Sequence, residues 1–97
     1  MLTGKQKRFL RALGTGLDPI VQIGKGGVNA NIITQIDEAL EARELIKCRV
    51  LANSEDGPKE IAPQIAEQVQ SQLVQIVGKN FLLYRKSTKK DIIELPF

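Results

Sequence analysis

Three glycines and one lysine form the stretch Gly24-Lys25-Gly26-Gly27, which separates two segments of different character. The β-branched run Ile20–Ile23 before it is typical of a strand, and a helical pattern with Asn29 at the N-cap position follows it. Accessible backbone N–H groups, the positive end of the helix dipole and the Lys25 ammonium together suit an anion, most simply a phosphate. The alternative interpretation is that the glycines only allow a sharp turn.

Residues that most catalytic and metal sites require are scarce in this chain. There is no histidine, and the one cysteine, Cys48, lies in the middle of a predicted strand, where a buried, inert thiol is expected. The glycine stretch has neither the spacing nor the hydroxyl of a P-loop. The carboxylates of Asp37, Glu38, Glu41 and Glu44 fit the solvated face of a helix. We therefore predict a non-catalytic protein with no cofactor and no metal site.

Basic residues are concentrated at the two ends of the chain. Residues 1–30 carry five bases and one acid, residues 31–78 carry four bases and eight acids, and residues 79–97 carry five bases and two acids. The bases that we consider for anion binding are Lys5, Lys7, Arg8, Arg11, Lys25, Arg85 and Lys86. If the two ends meet in the fold, they present a polarised surface to an anionic partner. The alternative is a solvated mixture of charges.

The first predicted helix, Thr3 to Leu13, has an apolar and a basic side. Leu2, Phe9, Leu10 and Leu13 share one side at helical spacing and should dock on the protein. Lys7, Arg8 and Arg11 share the opposite side and should face solvent.

The remaining segments predict one domain, residues 1–97, with the order α-β-α-β-α-β-β. Strand-helix-strand crossovers are right-handed, so their helices lie on one face of the sheet. We expect a small two-layer α/β sandwich with a mixed four-stranded sheet. The predicted segments are a strand at 20–23, helices at 30–43 and 59–71, strands at 45–51, 73–77 and 81–86, and a short edge strand at 91–95.

Four ordered blocks of the chain resemble the CRM domain, named for chloroplast RNA splicing and ribosome maturation, in its short bacterial YhbY-like form. The blocks are Leu2–Arg11, Pro19–Gly27, Glu44–Val50, and Val77–Lys79 through Leu83–Arg85. The resemblance implies a fold like the C-terminal domain of translation initiation factor 3 and an RNA-binding role on precursors of the large ribosomal subunit. The family's Gly-x-x-Gly loop would be Gly24 to Gly27. Its basic first helix would carry Lys5, Lys7, Arg8 and Arg11. The chain departs from the family pattern at Gly26-Gly27-Val28-Asn29, where a larger residue is often present.

A KH domain is the alternative, because its RNA-clamping loop is also glycine-rich. In KH domains that loop joins two helices, whereas Pro19 and the β-branched residues at 20–23 favour a strand here.

Tyr84 could stack on a base or belong to the core. No stretch has the roughly 18 apolar residues of a membrane span, and no apolar segment follows the basic N-terminus. We expect a cytoplasmic monomer without membrane contact.

Overall fold

A computed structural model describes residues 2–97 and contains three helices and four strands in the predicted order α-β-α-β-α-β-β. The predicted boundaries agree with the observed ones to within one helical turn, and only Met1 of the predicted domain lies outside the described residues. The elements are α1 Gly4–Thr15, β1 Pro19–Ile23, α2 Ala30–Arg43, β2 Leu45–Val50, α3 Pro58–Gln68, β3 Gln72–Val77 and β4 Asn80–Tyr84.

The four strands form one mixed sheet in the order β1-β2-β4-β3. β1 and β2 are parallel, and β4 is antiparallel to both of its neighbours. α2 and α3 each connect strands that run in the same direction, so right-handed crossovers place both helices on one face of the sheet. The turn between β3 and β4 has a positive φ of 58° at Gly78, which a glycine adopts without steric cost. β3 and β4 therefore form a β-hairpin.

The larger hydrophobic core lies between the sheet and the helices α2 and α3. It takes alternate residues of the strands, such as Ile46 and Cys48 of β2, and one face of each helix, such as Leu40 and Ile65. Burial raises the pKa of the Cys48 thiol to about 12, so this thiol stays protonated and inert at neutral pH. The alternation of β2 places Lys47 and Arg49 on the other face of the sheet.

Helix α1 packs on that second face, where it adds a partial layer to the predicted sandwich. Leu10 is buried there with residues of all three of the strands β2, β3 and β4, namely Leu45, Val74, Leu82 and Tyr84. The backbone of α1 lies close to β4 at Gly14, where a Cβ atom would lie 2.3 Å from Cδ1 of Leu82. Glycine at this position therefore sets the distance between α1 and the sheet.

The docking side of α1 was predicted only in part, since Leu2 and Leu10 pack against the sheet as expected. The helix begins with a capping box between Thr3 and Gln6, and it buries Leu10 and Gly14. Phe9 and Leu13, which were expected to dock, are 37% and 42% exposed. The side of the helix that carries Gly14 faces Leu82, since a larger residue at this position would clash with the sheet. Phe9 and Leu13 therefore lie away from the contact.

The C-terminal segment after β4 is irregular, and the predicted edge strand at 91–95 is wrong. Its backbone N–H groups instead donate to a buried carboxylate: Glu44 accepts from Ser87 (2.7 Å), Ile92 (3.2 Å) and Ile93 (2.6 Å). Ile93 packs against the second core, which is the cluster of buried residues between α1 and the sheet. The side chain of Glu44, at the C-terminal end of α2, therefore helps to hold this segment over the α1 face.

The acidic residues of α2 are not simply a solvated face, contrary to the prediction. Glu44 is fully buried at a φ of 66°. Glu41 accepts hydrogen bonds from Ser87 and from the backbone and hydroxyl of Thr88. The hydroxyl of Thr88 is the main cause that lowers the pKa of Glu41. These carboxylates fix the C-terminal segment.

Candidate nucleic-acid interface

The glycine stretch forms a tight turn between β1 and α2, as predicted. The N–H of Gly27 donates to the carbonyl of Gly24 over 2.9 Å, and Gly27 has a φ of 61°. This left-handed conformation explains a glycine at position 27. Because β1 is a strand paired with β2, the turn does not join two helices as the KH alternative requires.

The turn leads directly into the N-terminus of α2. Asn29 is the N-cap, and its side-chain oxygen accepts the N–H of Ile32 over 2.9 Å. Lys25 and Gly26 are both exposed. The positive end of the helix dipole, the backbone of the turn and one ammonium group therefore lie together at the surface.

The α3 side of the turn is acidic. A polar cavity of about 220 Å³ separates Lys25 and Gly26 from the loop that carries Glu55 and Asp56. These carboxylates repel an anion that approaches from this side. An anionic chain bound at the turn would therefore continue in another direction.

The opposite side of the turn is basic, and most of its basic residues were missed by the sequence analysis. The N–H of Leu51 donates to the carbonyl of Ile23, and the N–H of Val50 donates to the carbonyl of Lys79, each over 2.8 Å. The glycine turn and the β3–β4 turn therefore meet at the end of β2. We define the loop-end basic surface as Lys25, Lys47, Arg49 and Lys79.

Arg49 is exposed and Lys47 half-buried on the sheet face that α1 covers in part. The sequence contained the signal for this surface, since Lys47 and Arg49 alternate with buried residues of β2. Arg49 lies beside the two turns, because it pairs with Gln22 near the end of β1 and with Asn80 at the start of β4. Lys47 lies two residues farther from the turns on the same face of β2.

The basic residues of α1 do not form one solvent-facing stripe. Lys5 and Arg8 are exposed, but Lys7 and Arg11 are half-buried beside the docked face. The Nε atom of Arg11 is buried and has no hydrogen-bond partner among residues 2–97. Lys7 and Arg11 therefore also cover the core with their aliphatic stems.

Arg85 was considered for anion binding, but its guanidinium is held by hydrogen bonds inside the structure. One guanidinium nitrogen, Nη1, lies 2.7 Å from Oδ1 of Asp37 and donates to the carbonyl of Val69, and Nη2 donates to the carbonyl of Asp37. These bonds join the end of β4 to α2 and to the residue that follows α3. The side chain of Arg85 is only 19% exposed.

Lys86 lies at the opposite end of β4 from Lys79, about 24 Å away at the roughly 3.4 Å per residue of an antiparallel strand. It is exposed and pairs with Asp91, whose hydrogen bond raises the pKa of Lys86. The C-terminal bases therefore do not meet the glycine turn, with the exception of Lys79.

Tyr84, for which base stacking was the alternative to a place in the core, belongs to the second core and is 7% exposed.

These features define an α/β fold with a basic, glycine-containing end. The chain matches the CRS1 / YhbY (CRM) domain over residues 2–85. The chain belongs to this family, as the resemblance implied.

Among residues 2–97, no helix is long and apolar enough to cross a membrane.

Several relatives are similar over almost their whole length. The chain is 55% identical to Probable RNA-binding protein YqeI of Bacillus subtilis, over 99% of this chain and 100% of the relative. It is 34% identical to a protein of Haemophilus influenzae named RNA-binding protein, over 98% and 95%. A solution structure of SAV1595 from Staphylococcus aureus, described as a candidate RNA-binding protein, is 55% identical, with a TM-score of 0.82 over 99% of this chain and 100% of that one.

Proposed function

We propose that this chain is a non-catalytic RNA-binding protein. The observation that carries the proposal is the glycine turn at the start of α2, with Lys79 and Arg49 beside it at the same end of the sheet. Backbone N–H groups at a helix N-terminus bind phosphate, and nearby ammonium and guanidinium groups add affinity for a polyanion. The names of the relatives support RNA as that polyanion.

We further propose that the bound strand runs from the glycine turn across the loop-end basic surface. The carboxylates of Glu55 and Asp56 line the other side of the turn, where they oppose a phosphate chain. On this path the RNA meets Arg49 of β2 and then Lys79 of the β3–β4 turn, with Lys47 near Arg49 on the same face of β2. It stays away from Arg85 and Lys86.

The cellular target that we propose is ribosomal RNA in precursors of the large subunit, bound by a cytoplasmic monomer. This proposal extends the family resemblance, since the CRM domain takes part of its name from ribosome maturation.

Sedimentation of cell extracts through a sucrose gradient tests the target. We expect the wild-type chain to migrate with large-subunit precursors and the Arg49→Ala/Lys79→Ala variant to remain at the top. The matched control is Lys89→Ala/Lys90→Ala, which removes the same charge beside the acidic residues of α2. A wild-type chain that binds purified RNA but never migrates with the precursors would contradict the target and leave RNA binding in place.

A further inference from the structure

A cavity of about 200 Å³ lies between the C-terminal end of α1 and the sheet. A water molecule occupies about 30 Å³ in the liquid, so the cavity is large enough for a small ring system rather than a single water. Its walls include Thr15, Lys47, Gln75, Val77, Asn80 and Leu82.

The walls combine apolar surfaces with amide groups. Val77 and Leu82 supply hydrocarbon, and Gln75 and Asn80 supply both donors and acceptors. The side-chain oxygen of Asn80 is buried and accepts no hydrogen bond from any residue in the range 2–97. A buried acceptor without a donor is destabilising, so the Asn80 amide gains a hydrogen bond if its side chain turns toward a ligand N–H group in the cavity.

The cavity adjoins the loop-end basic surface. Lys47 belongs to both, and Asn80 is paired with Arg49 in the β2–β4 ladder. Asn80 also follows Lys79 directly in the chain. A phosphate held by these cations would therefore lie at the rim of the cavity.

We propose that this cavity binds one unpaired nucleobase of the RNA, a site that rests on the proposed function. A base has two apolar faces and a hydrogen-bonding edge, which match the hydrocarbon walls and the two amides. Proteins read RNA sequence mainly from such unstacked bases, and Asn and Gln side chains pair with base edges. A bare phosphate would leave the hydrocarbon walls unused.

Nuclear magnetic resonance titration tests the ligand class with small probes. AMP, GMP, CMP and UMP are compared with ribose 5-phosphate, which has the sugar and the phosphate but no base. We expect at least one nucleotide to shift the side-chain amide signals of Gln75 and Asn80 and the backbone signals of Leu82. Ribose 5-phosphate should shift only signals near Lys25, Arg49 and Lys79. Equal shifts at Asn80 with both kinds of probe would overturn the proposal.

Short oligoribonucleotides that differ only in one unpaired position, including an abasic version, test the site in RNA. We expect the wild-type chain to bind its preferred base at least tenfold more tightly than the abasic version. Asn80→Ala and Gln75→Ala should each reduce this ratio toward one and leave the salt dependence of binding unchanged. The control Gln22→Ala removes an exposed amide of β1 that does not line the cavity, and it should keep the ratio.

The outcomes separate this site from the proposed function. If the wild-type chain binds RNA but does not distinguish base from abasic site, the cavity is not a base site and RNA binding stands. If it binds no RNA, both proposals fail. If Asn80→Ala does not fold, the wild-type ratio and Gln75→Ala decide the result.

Discussion

Arg49 in β2 and Arg85 just after the neighbouring strand β4 show how position decides the role of a residue. Arg49 lies inside β2, where its neighbours Cys48 and Val50 face the core and it faces solvent. Arg85 lies just after β4, where its guanidinium meets two carbonyls and the carboxylate of Asp37. Of these two arginines, Arg49 has the guanidinium that is free to meet an external phosphate.

Replacement of Arg85 should therefore destabilise the fold and leave the RNA surface intact. Arg85→Ala leaves the carbonyl of Val69 without this donor and Asp37 without its partner, so we expect a loss of about 2 kcal/mol in the free energy of unfolding. Urea denaturation measures it, and Arg49→Ala is the matched control, with an unchanged midpoint. An unchanged midpoint for Arg85→Ala would show that these bonds add little.

Gly26 offers a sharper test of the glycine turn than its neighbour. Gly27 has a positive φ, so any side chain there strains the backbone, whereas a Cβ at Gly26 meets only the end of the Asn29 side chain at 3.3 Å. Gly26→Asp should therefore fold and weaken RNA binding about tenfold through like-charge repulsion. Gly26→Ala, the control without charge, and Lys25→Ala should have smaller effects in fluorescence anisotropy.

The result for Gly26→Asp is decisive only in a folded protein, so its circular dichroism spectrum and melting temperature are measured first. A folded Gly26→Asp chain that binds RNA as the wild type does would show that the turn is structural only. The phosphate-binding interpretation of the glycine stretch would then be wrong.

At the scale of elements, helix α1 has separate basic pairs with different surroundings. Lys5 and Arg8 are exposed, and Lys7 and Arg11 are half-buried against the docked face. We expect Lys7→Ala/Arg11→Ala to lower the melting temperature, because the aliphatic stems cover apolar surface. Lys5→Ala/Arg8→Ala should leave the melting temperature unchanged. Equal melting temperatures for the two double variants, which remove the same charge, would contradict the observed orientation of α1.

The C-terminal segment donates three backbone hydrogen bonds to the buried carboxylate of Glu44. Glu44→Gln replaces an acceptor oxygen with an NH₂ group that faces backbone N–H donors, so we expect a loss of about 2 kcal/mol in the free energy of unfolding. Hydrogen exchange should accelerate at Ser87, Ile92 and Ile93, which donate to this carboxylate. Glu38→Gln on the exposed side of α2 is the control. Unchanged exchange at these three amides would exclude the proposed role of Glu44.

At the scale of the whole molecule, the two ends of the sheet carry different sets of charged groups. The loop-end basic surface lies at one end, and Lys86 and the acidic residues of α2 lie at the other. An RNA chain that follows the charge should therefore use one end only.

The salt dependence of RNA affinity tests this expectation. Each single-strand phosphate contact contributes about 0.7 to the slope of log affinity against log salt concentration. Arg49→Ala/Lys79→Ala should therefore lower the slope by about 1.4, because it removes contacts at the loop end. Lys89→Ala/Lys90→Ala should leave it unchanged. If both double variants lowered the slope equally, the RNA would not follow the loop-end basic surface.

The sequence by itself determined the elements and the glycine turn. Helical and alternating patterns of apolar residues predict the three helices and four strands, because each element must bury one side. The Asn29 cap and the turn after Ile23 depend on contacts between residues close in the chain, so they are visible in the sequence. The membership of the CRM family was likewise predictable from four short blocks.

The tertiary structure alone decided which charged groups are free. Arg85 and Glu44 look like exposed residues in the sequence, and their partners are supplied by segments distant in the chain. Conversely, Lys79 and Arg49 reach the glycine turn only through the pairing of β2 with β1 and β4. The orientation of α1 also depends on a distant contact, that of Gly14 with Leu82. Local periodicity does not contain these pairings, since they arise from the packing of the complete sheet.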